Sequence, residues 1–157
     1  MRVRAMEPAD IPAVAALLRE MQEHYRVPCP PDATIRADLG DPPAGVTILI
    51  AADPGPVGLA ALAAVYPGPG LRPGLFLKEL FVAQAARGRG TGRALLRAAA
   101  AFARAGGFAR IDWTADGRDP RLLAFYAGTG ALPQPEKVFF RLSGEALERM
   151  AAPGTPD

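Results

Sequence analysis

Residues 75–96 read LFLKELFVAQAARGRGTGRALL, and the fold turns on them. An apolar run ends at Val82, a short polar link leads to Arg87-Gly88-Arg89-Gly90-Thr91-Gly92, and a helical pattern begins at once. A glycine-rich turn between a buried strand and a helix suits phosphate. Its glycines remove the bulk that keeps an anion off the backbone, and the first N–H groups of the helix have no partner of their own. The helix dipole adds partial positive charge, and successive turn amides form an anion-binding nest. Arg87, Arg89 and Arg93 surround it with mobile positive charge. The stretch reads as a pyrophosphate seat. Taken alone, it also reads as a plain glycine-rich connection with a solvated arginine cluster.

Working outward, Leu95, Ala98, Ala99 and Phe102 form the core face of the following helix, and Gly106-Gly107 ends it. Residues 109–115 are expected as the next strand, parallel to 75–82 because a helical crossover joins the two. Asp119-Pro120 starts a further helix carrying Leu122, Leu123, Phe125 and Tyr126. Residues 137–142 are expected as a final strand, with Ser143 capping a last helix that holds Leu147 and Met150. On the other side of the turn, Arg2–Ala5 is a short strand, and Glu7-Pro8-Ala9-Asp10 opens a helix. Ile11, Val14, Leu17, Leu18 and Met21 recur there at helical spacing. Asp32 is expected to cap a second short helix with Ile35 and Leu39. Residues 46–52 and 57–66 form a hairpin about Asp53-Pro54-Gly55. The order is βααβββαβαβ and a closing helix. That is an α/β chain with a mixed sheet, one domain over 1–152 and a loose tail at 153–157.

Half of the 157 residues are apolar and 22% are charged, as in soluble globular proteins. The net charge is +2 and the pI about 9.0. Lysine is confined to Lys78 and Lys137, so arginine supplies the positive charge, without blocks of like sign. A solvated arginine surface fits better than a nucleic-acid patch. Cys29 stands alone, which excludes an internal disulfide and a cysteine-based metal cluster, and a single histidine speaks against a zinc site. Glu7, Pro8 and Asp10 precede any apolar region, unlike a signal peptide. Asp53-Pro54-Gly55-Pro56 interrupts the most apolar region, so neither half reaches the ~20 residues of a membrane span. A cytoplasmic protein that engages neither nucleic acid nor membrane is expected.

Neither the nucleotide P-loop nor the dinucleotide GxGxxG pattern fits the turn. It resembles the coenzyme A motif of the GNAT family of N-acetyltransferases, Gln/Arg-x-x-Gly-x-Gly/Ala after a strand ending in Val. Here Arg87, Gly90 and Gly92 follow Val82. The family also places Asn, a helix, Phe-Tyr and Gly-Ala after its fifth strand, where this chain has Asp119, Phe125-Tyr126 and Gly130-Ala131. The element order matches over residues 2–143. Within the family the chain looks most like the diamine and thialysine acetyltransferases. They share the Leu-x-x-Leu/Phe-Phe-Val ending of strand four and an aromatic strand before a short Leu/Met helix.

The resemblance implies an enzyme that moves the acetyl group of acetyl-CoA to a primary amine of a small molecule by direct attack. It places the pyrophosphate on Arg87, Gly88, Arg89, Gly90, Thr91 and Gly92. The pantetheine arm falls beside Leu80 and Val82, where strands four and five diverge, and Asp119 stands for the usual Asn of the coenzyme site. A lysine-like amine, of pKa ~10.4, must shed a proton to attack, and the departing thiolate profits from a donor. Tyr126 matches the family tyrosine that protonates the thiolate and also adjoins the coenzyme. Glu79 either takes the amine's proton through water, anchors a cationic acceptor, or forms a salt bridge with Lys78. Glu23, His24 and Tyr25 either border the acceptor or form a solvated helix end.

Polyamine relatives carry two adjacent acids in strand four, and this chain has Lys78-Glu79. Strand neighbours face opposite sides, so only one of the two lines the cleft unless a bulge intervenes. Lys78 inward favours an amine that also carries an acid group, such as an amino acid. Glu79 inward leaves a small cationic amine, and its counterpart in the relatives favours that arrangement. The family often pairs subunits through its C-terminal strand and helix, and Val138-Phe139-Phe140 is apolar, so the resemblance implies a homodimer through residues 138–150. Two other classes stay open: a non-catalytic acyl-CoA-binding module, and an acetyltransferase acting on protein N-termini or lysines.

Overall fold

The computed structural model describes residues 1–152. Strands β1 (Arg2–Ala5), β2 (Val46–Ala52), β3 (Pro56–Val65), β4 (Gly74–Val82) and β5 (Ile111–Asp112) pair in chain order into one sheet. The first four are successively antiparallel and β4–β5 is parallel, as the sequence order implies. Helices α1 (Ile11–Tyr25) and α2 (Asp32–Gly40) cover one face, and α3 (Thr91–Ala105) covers the other. Ile50, Leu59 and Phe81 pack with Val14, Leu17 and Met21 of α1 and with Ile35 and Leu39 of α2. Leu49, Ala60, Leu62, Leu75 and Leu77 pack with Leu95, Ala99 and Ala103 of α3. Cover on both faces explains why the hairpin strands are nearly unbroken apolar runs.

Among the described residues, chain contacts form two compact units, Met1–Ala115 and a second that begins at Asp116. In the first, Asp10 fixes how β1 leads into α1. Its buried carboxylate accepts from the Arg4 guanidinium at 2.6 and 2.9 Å and from the Glu7 N–H at 2.8 Å. Those bonds, the Arg4 pair foremost, hold the Asp10 carboxyl below its ordinary pKa. At the far end of α3, Gly107 takes φ +72°, and the N–H groups of Gly107 and Phe108 donate to the carbonyls of Arg104 and Ala103. Two orphan carbonyls are satisfied by that left-handed glycine.

β4 contains an extra residue. Ala61 pairs with Glu79 and Leu62 with Leu77, so Lys78 has no partner across the ladder. The two faces record the same interruption: Leu75 and Leu77 lie on the α3 side, Phe81 on the α1 side, and Leu80 and Val82 on the α3 side again. Paired residues share a face, which puts Glu79 with Ala61 on the α1 side and leaves Lys78 beside it.

Four details depart from the sequence reading. β5 spans two residues rather than 109–115, because β4 offers it a parallel ladder only at Leu75 and Phe76. Residues 137–142 form no strand: none joins a ladder, and the Lys137 N–H closes a turn on the Gln134 carbonyl. High β-propensity without a partner edge does not make a strand. The N-cap of α2 is Pro31, whose carbonyl takes the N–H groups of Thr34 and Ile35. Asp32 sits one position inside and pairs with Arg19 and Arg36. Helix α5 (Glu145–Ala151) is capped at Gly144, at φ +56°, rather than at Ser143. The expected tail from Pro153 lies outside the described residues. In the second unit α4 (Pro120–Ala127) starts where expected, and no described side chain beyond Asp116 is buried.

Gly58 sets how closely α3 approaches the sheet. It pairs with Val82, and a Cβ there would stand 2.9 Å from the Phe81 carbonyl oxygen, 3.3 Å from Leu95 and 3.4 Å from Thr91. Gly58→Ala is expected to destabilise the fold by about 1–3 kcal/mol through overpacking. Urea unfolding should show a lower midpoint at an unchanged slope; a wild-type midpoint would mean that the helix yields freely.

Candidate active site

The candidate site begins where β4, still paired with β3, runs on beyond its pairing with β5. Past Phe76, β5 gives β4 no ladder partner, so one edge of the strand runs open toward its end at Val82. Leu80 and Val82 are half-buried there. The Val82 carbonyl accepts from Arg87 Nε at 3.0 Å, and the same guanidinium lies 5.5 Å from the Phe81 ring centroid. Arg87 therefore spends its side chain clamping the turn to the strand, while its backbone opens the turn.

Beyond Arg87 the backbone is shaped by two left-handed glycines, Gly88 at φ +76° and Gly90 at φ +80°, the latter the N-cap of α3. Thr91 is buried, and its hydroxyl donates to the Ala86 carbonyl at 3.3 Å, pinning the first turn of the helix. Among the described residues no well-aligned backbone carbonyl takes the N–H groups of Gly88, Arg89, Gly90, Thr91 or Gly92. A Cβ on Gly88 or Gly90 would meet nothing within 4 Å. Five consecutive donors, open space above two glycines and a helix N-terminus suit a diphosphate. Arg89 and Arg93 are exposed beside them.

A second anchor has no local signal along the chain. The Glu20 carboxylate on α1 accepts from the Gln84 N–H at 2.8 Å, 64 residues away, and ties α1 to the start of the turn. Contacts at that separation leave no local pattern.

On the α1-facing side of β4, Glu79 is 26% exposed and Lys78 63% exposed, with Nζ 3.1 Å from the carboxylate. Tyr25, the last residue of α1, is within electrostatic reach of Glu79. Partial burial pushes its hydroxyl pKa up, the Glu79 charge adds to the rise, and Arg87 opposes it. The His24 ring lies 5.4 Å from that of Tyr25 and 6.3 Å from that of Phe81. Tyr25, His24, Phe81, Arg87, Glu79 and Lys78 thus share one neighbourhood. Glu23 is exposed on α1 and takes no part in these contacts.

In the second unit, the Asp119 carboxylate accepts from the N–H groups of Arg121 and Leu122, both at 3.0 Å, and so caps α4. Tyr126 is half-buried on that helix, its ring 5.2 Å from Phe125, and its carbonyl takes the Thr129 hydroxyl at 2.6 Å.

The sequence model of the acetyltransferase (GNAT) family matches residues 11–131, from the first residue of α1 through the turn and α4. The chain belongs to the acetyltransferase (GNAT) family. It is an acetyl-CoA-dependent N-acetyltransferase, the family's acyl donor being acetyl-CoA. The acetyltransferase resembles several solved structures. An integron cassette protein from the mobile metagenome of V. cholerae is 24% identical, over 97% of this chain and 98% of that one, at a TM-score of 0.84. A candidate acetyltransferase of Arthrobacter sp. FB24 is 30% identical, over 92% and 94%, at 0.74. An aminoglycoside acetyltransferase from an uncultured soil metagenomic sample, solved with sisomicin, shares the fold at 18% identity, over 90% and 96%, at 0.73. No described helix of the acetyltransferase is long and apolar enough to cross a membrane.

Gly90→Val is expected to weaken acetyl-CoA binding about tenfold or more, because a β-branched residue resists positive φ and the N–H array loses its shape. Calorimetric titration measures it, with a melting curve confirming that the variant is folded. Unchanged affinity would remove the pyrophosphate from this turn.

Proposed function

We propose that this acetyltransferase works in the cytoplasm, as one functional domain over residues 1–152, on the primary amine of a small molecule. The observation that carries the reading is Glu79, a half-buried carboxylate on the α1-facing side of β4, within reach of the Tyr25 ring. A carboxylate beside aromatic rings suits an ammonium group, by charge and by cation–π attraction. The likeness of the β4 ending to the diamine and thialysine branch supports the same class of acceptor.

Acetyl-CoA supplies an acetyl thioester, an electrophile that needs no further activation by metal or covalent intermediate. The N–H groups of residues 88–92, with Arg89 and Arg93, hold its diphosphate, and the open edge of β4 at Leu80 and Val82 receives its arm. Glu79 accepts the acceptor's proton through water. Tyr126 holds on Oη a proton for the leaving sulfur. Asp119 serves through α4, whose first N–H groups it caps. Glu23, His24 and Tyr25 border the acceptor from the end of α1.

Val138, Phe139, Phe140, Leu142, Leu147 and Met150 are 50–87% exposed. So many large apolar side chains in one segment support a homodimer formed through residues 138–150. Light scattering at micromolar concentration should give twice the chain mass; a monomer excludes this surface as a dimer contact.

Turnover of acetyl-CoA against a panel of small amines, amino acids and peptides tests the acceptor class, with small amines expected to react. Tyr126→Phe should lower turnover ~10²–10⁴-fold while acetyl-CoA affinity stays close to wild type, since Phe keeps the packing and removes only the proton. Reaction with peptides alone would refute the small-amine reading. Wild-type turnover in the variant, with chemistry rate-limiting, would refute the acid role.

A further inference from the structure

One inserted residue bears on what kind of amine the site takes. In a regular strand Lys78 and Glu79 would project to opposite faces. The bulge leaves Lys78 out of the ladder and brings both charges to the α1-facing side, Nζ 3.1 Å from the carboxylate. With Lys78 63% exposed, the pair itself adds little to stability, so the fold does not depend on having a lysine there.

We infer that the acceptor is a free α-amino acid, bound as its zwitterion by Lys78 and Glu79 and acetylated on its α-amine. The inference rests on the small-amine reading above and narrows it. The α-ammonium faces Glu79 and the carboxylate faces Lys78, so four charges alternate in sign around a ring. In an α-amino acid the nitrogen and the nearer carboxylate oxygen are ~3 Å apart by covalent geometry, which matches the spacing of the protein pair. A diamine leaves Lys78 facing a hydrocarbon chain or a second cation. An ε-amine held at Glu79 carries its carboxylate several carbons away from Lys78.

The protons balance. The α-ammonium gives one proton to Glu79 and then to solvent. The nitrogen bonds to the acetyl carbon as the thioester C–S bond breaks, and the sulfur takes a proton from Tyr126. The second nitrogen proton returns to Tyr126 through solvent. The products are an Nα-acetylated amino acid, the free thiol and one released proton.

The test uses the full chain, acetyl-CoA and matched pairs: leucine with isopentylamine, phenylalanine with phenethylamine, lysine with cadaverine. Within at least one pair the amino acid should show a kcat/KM higher by about tenfold or more, mainly through KM, as expected for one added charge-assisted hydrogen bond. Mass-spectrometric fragmentation should place the acetyl group of any lysine product on Nα. Lys78→Met should bring the ratio toward one by raising the amino acid's KM, and Lys78→Arg should keep the preference. Amines acetylated without preference for the amino acid, a preference untouched by Lys78→Met, or a lysine product acetylated on Nε would each overturn the inference and leave the small-amine reading intact. Acetylation of peptides with no small amine accepted would overturn both.

Discussion

Side chains along a strand alternate, and β4 has to serve two cores that want opposite phases. Leu75 and Leu77 belong to the layer under α3. Continued without interruption, the same alternation would carry Glu79 and Phe81 into that layer, against Leu95 and Ala99. A carboxylate in that dry layer would cost several kcal/mol or lose its charge. The bulge resets the phase by one residue. Phe81 then joins α1, Leu80 and Val82 stay with α3, and the polar pair emerges on the side where α1 ends. A one-residue slip flips every side chain that follows; here a single slip, fixed in place, separates the core from the polar pair.

The turn beyond β4 is held at both ends by hydrogen bonds and close packing. Gly58 lets α3 sit close to the sheet, Thr91 is buried against Ala86, Arg87 folds back on Val82, and Glu20 holds Gln84. These contacts fix both ends of a segment whose five middle N–H groups find no well-aligned backbone carbonyl among the described residues. Open N–H groups are ordinary at the start of a helix, and here the exposed glycine turn adds its own to them. Rigid anchors around such donors are the arrangement that suits a bound anion.

What could be read in advance followed from local rules. Apolar spacing at Ile11, Val14, Leu17 and Met21 predicts α1, and glycine after an apolar run predicts the turn and the start of α3. The mixed order of strands follows from connection lengths. What could not be read depends on partners far along the chain. Residues 109–115 and 138–140 carry strand-like residues, but a ladder needs a neighbour in register, and only Ile111 and Asp112 find one. The bulge at Lys78 is set by its pairing with β3, which no window of β4 alone contains. At the candidate site the residue types were legible, and their shared face was not.

An enzyme that acetylates amines lives beside an electrophile able to modify its own surface. Guanidinium groups stay charged at any working pH and offer that electrophile no nucleophile. This chain carries its positive charge almost wholly as arginine, with lysine only at positions 78 and 137. The Nζ of Lys78, the lysine on the strand that leads to the glycine turn, is already engaged by Glu79. The arginine bias thus leaves the protein few side chains open to self-acetylation.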